Sequence, residues 1–434
     1  MARLAPRPPH DADVIIVGAG AAGLAAAACL ARGGLDPLIL EARDRIGGRV
    51  FTQATPGLAA PIELGAEFIH GSAAPIREIA SASGLRTLDI APCRYEHTGT
   101  RLRAVGHFWE RIDRVMRRLD PDREPDRSFA EALRANGRTL RAADRALATR
   151  YVEGYDAADT ALVSERWLAE TSDQSRDVRE TRIGRLVDGY ASLVDALAAD
   201  VGARIRLGTI VSLVRWRRGR VVVECRDVAG ARRRRFTARA ILITVPLGVL
   251  HAPGDAVGAI GFDPAVPALQ DAASLGVMGD VVKLTLQFAE PFWMQPRFAR
   301  RLGLDALDRL GFMQARRALP FAVWWSAYPV RAPVLIAWSG GPRASALARE
   351  TAVDLERLAV ESLAAMFSMR PAHIRDHLVA SYHHDWTNDP FSRGAYSYAR
   401  VGGHLMSVRL ARPMQPTIWY AGEAADRQCT TGTV

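Results

Sequence analysis

Three glycines, one acid and one lysine are the residues of this chain whose type and spacing could do chemistry. Gly18, Gly20 and Gly23 hold the G-x-G-x-x-G spacing. In that pattern the first glycine permits a tight turn, the second lets a pyrophosphate approach the backbone, and the third lets a helix pack on a strand. The apolar run from Val14 to Val17 precedes them and reads as a strand buried on both faces. Ala21 to Arg32, which includes Ala22 in its first turn, reads as an alanine-rich helix. Its free N–H groups and positive dipole end face the turn, so an anionic diphosphate is stabilised there without a lysine. Leu38 to Leu40 reads as a second strand that ends at Glu41, the acid expected roughly twenty positions after the glycines to accept hydrogen bonds from a ribose. A βαβ unit of this kind predicts an α/β, Rossmann-like dinucleotide-binding domain.

The continuation, Glu41-Ala42-Arg43 through Gly47-Gly48-Arg49, separates FAD from NAD. A second glycine pair followed by arginine resembles the extension of the glutathione-reductase-like flavoproteins, and most closely that of the flavin amine oxidase family. The resemblance implies that Arg49 pairs with the diphosphate as a bidentate donor. Glu63-Leu64-Gly65-Ala66-Glu67-Phe68-Ile69-His70-Gly71 resembles the ELGA-x-x-I-H-G element of polyamine-oxidase-like members, which runs along the flavin ring. Leu64, Gly65 and Ala66 would lie there, Gly65 and Ala66 being small because the isoalloxazine rests against the backbone. Glu67 and His70 would look toward the substrate, to bind or deprotonate a cationic amine.

The chain has a single lysine, Lys283, among its 57 strong cations. Against that arginine bias a retained lysine is informative, because arginine can neither lose its proton nor fit as a compact point charge. Period two puts Val282, Leu284, Leu286 and Phe288 on one side of its strand and Lys283, Thr285 and Gln287 on the other, which by itself reads as a half-solvated strand with a surface lysine. The same stretch resembles the family's K-x-x-L-x-F strand, whose lysine holds a water at flavin N5. Further along, Trp386 to Tyr398 resembles the loop that carries an aromatic residue beside the flavin, with Tyr396 at the matching position. Ala395 stands where monoamine oxidases carry a flavin-linked cysteine, which implies noncovalent FAD. Val211 matches the backbone contact to adenine, and Gly422-Glu423 the pair near the ribityl or diphosphate. Thr433 and Val434 match the last cofactor contacts, Thr433 replacing the tyrosine that often forms the second wall of an aromatic cage. Beyond them the family continues into a helix facing flavin N1 and O2, so the resemblance implies that this helix is missing here.

The bulk numbers bound the rest. With 434 residues the chain can form two domains, and 49% hydrophobic with 24% charged residues is an ordinary globular composition. We expect a disordered tail over 1–10, a discontinuous FAD-binding domain over 11–88, 186–262 and 402–434, and an α+β substrate domain over 89–185 and 263–401. Phe108 to Leu119 carries apolar residues on one stripe and reads as an amphipathic helix of that second domain. The net charge of +10 is concentrated in Arg215 to Arg220 and Arg232 to Arg235, which hairpin turns would place in water. Neither cluster has aromatic interleaving, so nucleic acid is not expected. No apolar run reaches the ~20 residues that span a bilayer. Cys29, Cys93, Cys225 and Cys429 have no metal or disulfide spacing, and a reducing cytoplasm fits. The resemblance implies oxidation of an amine to an imine with O2 reduced to H2O2. An L-amino-acid oxidase or related FAD dehydrogenase, and a flavin-binding protein without turnover, are the alternatives; an arginine placed to clamp a carboxylate would favour the first of them. No metal is expected, and the oligomeric state is open.

Overall fold

Val14–Val17 (β1) lies between Pro37–Leu40 (β2) on one side and Ala240–Ile243 on the other, all parallel, with Val14 opposite both Pro37 and Ala240. Ile205–Arg206 and Ile418–Tyr420 complete a five-stranded sheet in the order 205–206, β2, β1, 240–243, 418–420. A parallel sheet must be covered on both faces, and alternation along β1 divides the cover. Ile16 packs with Leu24 and Ala27 of the helix Ala21–Arg32 (α1) and with Leu193 and Val194 of the helix Ala191–Ala199. Ile15 and Val17 point the other way, to Val214, Val221 and Val223 of a four-stranded sheet ordered Arg233–Ala238, Arg220–Arg226, Ile210–Arg217, Gly261–Asp263. The structure is a computed structural model. It describes all residues except 1–9, 72, 92, 100, 175–182, 200, 202–203, 228–229, 231 and 428–434. The expected tail, His10 aside, and Thr433 and Val434 therefore lie outside the described residues.

A seven-stranded sheet forms the second layer system, in the order Leu378–His383, Val281–Phe288, Val334–Gly340, Val323–Ser326, Leu310–Ala315, Cys93–His97, Leu102–Ala104. Its back packs on the helix Ala352–Met366, whose N-cap Thr351 accepts from the Asp354 amide. Phe108–Met116 is helical as its stripe predicts, and with Phe129–Ala135, Ala142–Tyr155 and Glu165–Gln174 it encloses a separate core around Ile112, Phe129, Tyr151 and Trp167.

Two local expectations are corrected. The lysine strand is not half-solvated. Val282, Leu284, Leu286 and Phe288 do join the large core, but Lys283 and Thr285 on the opposite face are only 4% and 2% exposed. That face is covered by the segment around Ile62, Leu64 and Phe68, which packs on Trp325 and Ile336. The second basic cluster does not sit in a turn: Arg233, Arg234 and Arg235 are the exposed opening residues of an edge strand, Arg233–Ala238. Their long charged side chains guard an edge that would otherwise offer unpaired N–H and C=O groups. Among the described residues no helix is long and apolar enough to cross a membrane.

Candidate active site

The glycine turn is built as its spacing requires, and each glycine answers a different constraint. A Cβ placed on Gly23 would lie 2.0 Å from the Gly18 carbonyl oxygen, so α1 can approach β1 only without one. A Cβ on Gly20 would meet nothing nearer than the Gly47 carbonyl at 4.0 Å. Gly20 is therefore bare where a ligand, not the protein, would come close. Gly20 also caps α1; no side chain accepts from the first-turn amides, and that turn contains no acid, so the N–H groups there are available to an anion. Glu41 is buried at the end of β2 and fixed by two amides, from Ala19 at 2.7 Å and Arg43 at 2.9 Å, one to each oxygen. Each oxygen keeps a second lone pair for ribose hydroxyls.

One cavity of about 1090 Å³ begins at this turn. Gly18, Gly20, Ala22, Glu41, Ala42, Arg43, Gly48, Arg49 and Val211 line its first part, and Leu64, Gly65, Ala66, Glu67, Trp386, Gly422 and Glu423 its middle. His70, Lys283 and Tyr396 face the same space. Gly23 alone of the described candidates does not, because it serves the helix packing. A turn near residue 20, a strand near 283 and the start of the strand Tyr396–Ala399 are thus brought to one volume. The open Gly20, the free helix amides and the positioned Glu41 fit the diphosphate and ribose of a dinucleotide.

Lys283 is held by the loop across from its strand. Its ammonium lies 2.6 Å from Glu67 Oε2 and donates to the Gly65 carbonyl at 3.0 Å. The ammonium has three donors, and the residue also lines the cavity. Glu67 is also bound by Arg185 Nη1, and Trp325 Nε1 donates to it at 3.0 Å. Burial alone would raise the Glu67 carboxyl, but the charges of Lys283 and Arg185 outweigh it and hold the group below the usual range. Glu67 is therefore already neutralised, and the wall it shares with Lys283 and Arg185 carries net positive charge. Gly65 owes its size first to the chain itself: a Cβ there would fall 1.8 Å from the Arg49 carbonyl oxygen and 3.2 Å from Trp386. Trp386 Nε1 donates to the Leu64 carbonyl at 2.8 Å and fixes that loop.

Arg49 reaches the Ala395 carbonyl at 2.5 Å and Glu423 at 3.2 Å, and Glu423 accepts from Ser397 Oγ at 2.8 Å. Arg43 turns instead to Asp389, 2.8 Å from both oxygens, and to Ser392 Oγ. Tyr396 donates its hydroxyl to the Tyr155 carbonyl at 2.6 Å, and burial raises its pKa well above the ordinary phenol value. His70 packs edge-on against Phe68 and Tyr155. Burial, and then the charge of Arg94, push its pKa down to about 4, so the imidazole is neutral at physiological pH. Arg94, Arg185, Trp325 and Tyr155 were not legible as site residues. Two are arginines in an arginine-rich chain, and the other two are aromatics at core-like spacing.

A family model described as flavin containing amine oxidoreductase matches residues 21–434. The chain belongs to that family. It is a flavin-dependent amine oxidoreductase, as the motifs implied, with the expected two-part α/β architecture. Polyamine oxidase 3 of Oryza sativa subsp. japonica is 28% identical over 468 aligned positions, covering 99% of this chain and 87% of its own length. Human lysine-specific histone demethylase 2 is 27% identical and matches 99% of this chain, which spans 53% of that protein. In fold, putrescine oxidase superposes with a TM-score of 0.78 at 20% identity, covering 96% of this chain and 94% of its own. Cyclohexylamine oxidase from Brevibacterium oxydans superposes with 0.75 at 22% identity, covering 97% and 95%.

Proposed function

We propose that this oxidoreductase binds FAD noncovalently and oxidises an amine to an imine, with O2 as electron acceptor and H2O2 as product. The observation that carries this reading is the burial of the chain's only lysine, held by Glu67 and the Gly65 carbonyl, on the wall of the same cavity that starts at the dinucleotide turn. Bound FAD would supply the redox chemistry, accepting the hydride equivalent from the amine α-carbon and passing electrons to oxygen.

The protein's own groups have separate tasks. The amides of α1, Glu41 and the bare Gly20 hold the nucleotide end. Lys283 presents its ammonium to the cavity, positioned by Glu67 and the Gly65 carbonyl rather than free to swing into solvent. Tyr396 and Trp386 form aromatic wall, and the Tyr155 carbonyl fixes the Tyr396 ring through its hydroxyl. His70, kept neutral, accepts a hydrogen bond from the amine but is too weak a base at about 4 to carry its proton. The amine therefore enters the reaction already deprotonated, and its proton goes to solvent. Noncovalent attachment is supported by Ala395 and by the lack of any cysteine on the cavity wall among the described residues.

Purified protein should be yellow, lose that absorbance when an amine is added without air, and regain it with peroxide release when air returns. Acid precipitation should free intact FAD into the supernatant. A protein that holds FAD but is bleached by no amine would refute the oxidase reading.

A further inference from the structure

The far part of the cavity ends on a cation with no carboxylate partner among the described residues. Arg94 lies on the strand Cys93–His97, opposite Phe312 of the neighbouring strand. Its guanidinium sits over the rings of Phe312 at 4.4 Å, Trp109 at 5.2 Å and Phe108 at 5.3 Å. Among the described residues no carboxylate lies within ion-pair distance of it. The nearest acid on the same face, Glu96, is taken by Arg316 Nε at 2.7 Å and lies 3.8 Å from Arg150. Burial lowers the Arg94 pKa to about 10, opposed by the neighbouring Tyr151 and Tyr155 hydroxyls. The group is thus still a cation at neutral pH, desolvated and facing a cavity. A buried charge in that condition is costly unless something of opposite charge meets it.

Its surroundings point the same way. The cavity wall on this side carries Arg94, Arg150, Arg316, Arg317 and Arg343 against Glu67 and Glu153. Glu67 is already neutralised by Lys283 and Arg185. The Glu153 carboxyl is raised by burial, which works against its holding a negative charge. Such a wall repels a second ammonium group and attracts an anion. Arg94 is also close to the expected reaction centre: its charge is felt by His70, and its neighbour Tyr155 packs on His70 and binds the Tyr396 hydroxyl.

We propose that the substrate is an amine that also bears a carboxylate, and that Arg94 receives this carboxylate while the amine end faces Lys283 and Tyr396. The inference rests on the amine-oxidase reading above and narrows it. A planar guanidinium suits a carboxylate because two parallel N–H donors match its two oxygens. The rings beneath it exclude water from one face of the planar fork. Diamines and polyamines are accordingly poor substrates.

The test compares amines of matched skeleton. Phenylalanine and leucine represent α-amino acids, γ-aminobutyrate and ε-aminocaproate the carboxylates placed further from nitrogen, phenylethylamine and hexylamine the uncharged partners, and putrescine the diamine. One of the two carboxylated classes should be oxidised with kcat/KM above its uncharged partner, and putrescine should be slowest. Arg94→Gln should lower that carboxylate preference by about 10- to 100-fold, mostly through KM, as loss of one charge-assisted contact does. Arg94→Lys should recover part of it. Independently of turnover, phenylacetate or hexanoate should perturb the flavin absorbance of the wild type at lower concentration than that of Arg94→Gln. Putrescine or the uncharged amines surpassing both carboxylated classes would overturn the proposal while leaving the oxidase reading intact. Flavin bleached by no amine would overturn the oxidase reading, and in that case absence of carboxylate binding to the wild type would remove the Arg94 site as well.

Discussion

Replacing Lys283 by methionine probes the interaction on which the site is built. At 2.6 Å the Lys283 ammonium and the Glu67 carboxylate attract each other by about 6 kcal/mol at an effective dielectric of ~20. Most of that attraction offsets the desolvation of two buried charges, and the informative quantity is the cost of stranding one of them, ~3–5 kcal/mol. Arg185 and Trp325 would still satisfy Glu67 Oε1, so the lower end, about 3 kcal/mol, is expected. Glu67→Gln strands the ammonium instead. The double variant strands neither, and should be more stable than the sum of the two losses by ~2 kcal/mol. The pH dependence has a definite sign. In the wild type Glu67 titrates below its unfolded value, so its contribution is present above that value and is lost as pH falls through the folded pKa. Without Lys283, burial is opposed by Arg185 and the Trp325 hydrogen bond; the Glu67 pKa rises, and the deficit of Lys283→Met should shrink as pH drops from about 8 toward 5. Urea denaturation of the flavin-loaded protein, followed by tryptophan fluorescence, measures each term. Strictly additive single losses, or a Lys283→Met deficit under ~0.5 kcal/mol at neutral pH, would show that no charged pair exists there.

Other substitutions separate packing from binding. Gly23→Ala should abolish folding of the nucleotide region, since its Cβ would fall 2.0 Å from a carbonyl oxygen, whereas Gly20→Ala, with 4.0 Å of room, should fold and hold flavin weakly; circular dichroism and visible absorbance distinguish the two. Gly65→Ala should displace the loop carrying Leu64 and Glu67 and lose flavin even though secondary structure survives. Burial pushes the Glu63 carboxyl up to about 7 against the hydrogen bonds it accepts from Thr52 and Tyr190. Folding thus favours its protonated form, and that stabilisation is lost as pH rises from near 4.5 through 7; Glu63→Gln should flatten this slope and stabilise the protein above neutrality by up to about 3 kcal/mol. Identical pH-stability curves for the two proteins would contradict the shift.

Contacts close in sequence could be read from the chain before any coordinates. Gly18 to Gly23, α1 and Glu41 form one local unit, so their spacing alone dictates a turn, a bare helix end and an acid at the next strand. Lys283 was conspicuous by residue type, yet alternation along its strand left it on a face that sequence could not show to be covered. The loop around Leu64 closes that face, and it is distant in the chain. The state of Glu67 was equally hidden: Lys283, Arg185 and Trp325, from three other segments, turn an apparent substrate carboxylate into a neutralised support. Arg94 shows the same limit most clearly. Among so many arginines its type carried no information, and only the tertiary structure, by placing it over three rings on the cavity wall with no carboxylate within ion-pair distance among the described residues, singled it out. Periodicity and motif spacing report short-range geometry, whereas burial and ion pairing depend on which distant segments meet. The sequence by itself therefore determined the cofactor class and the chemistry, and the packing of remote elements decided which charges face the substrate.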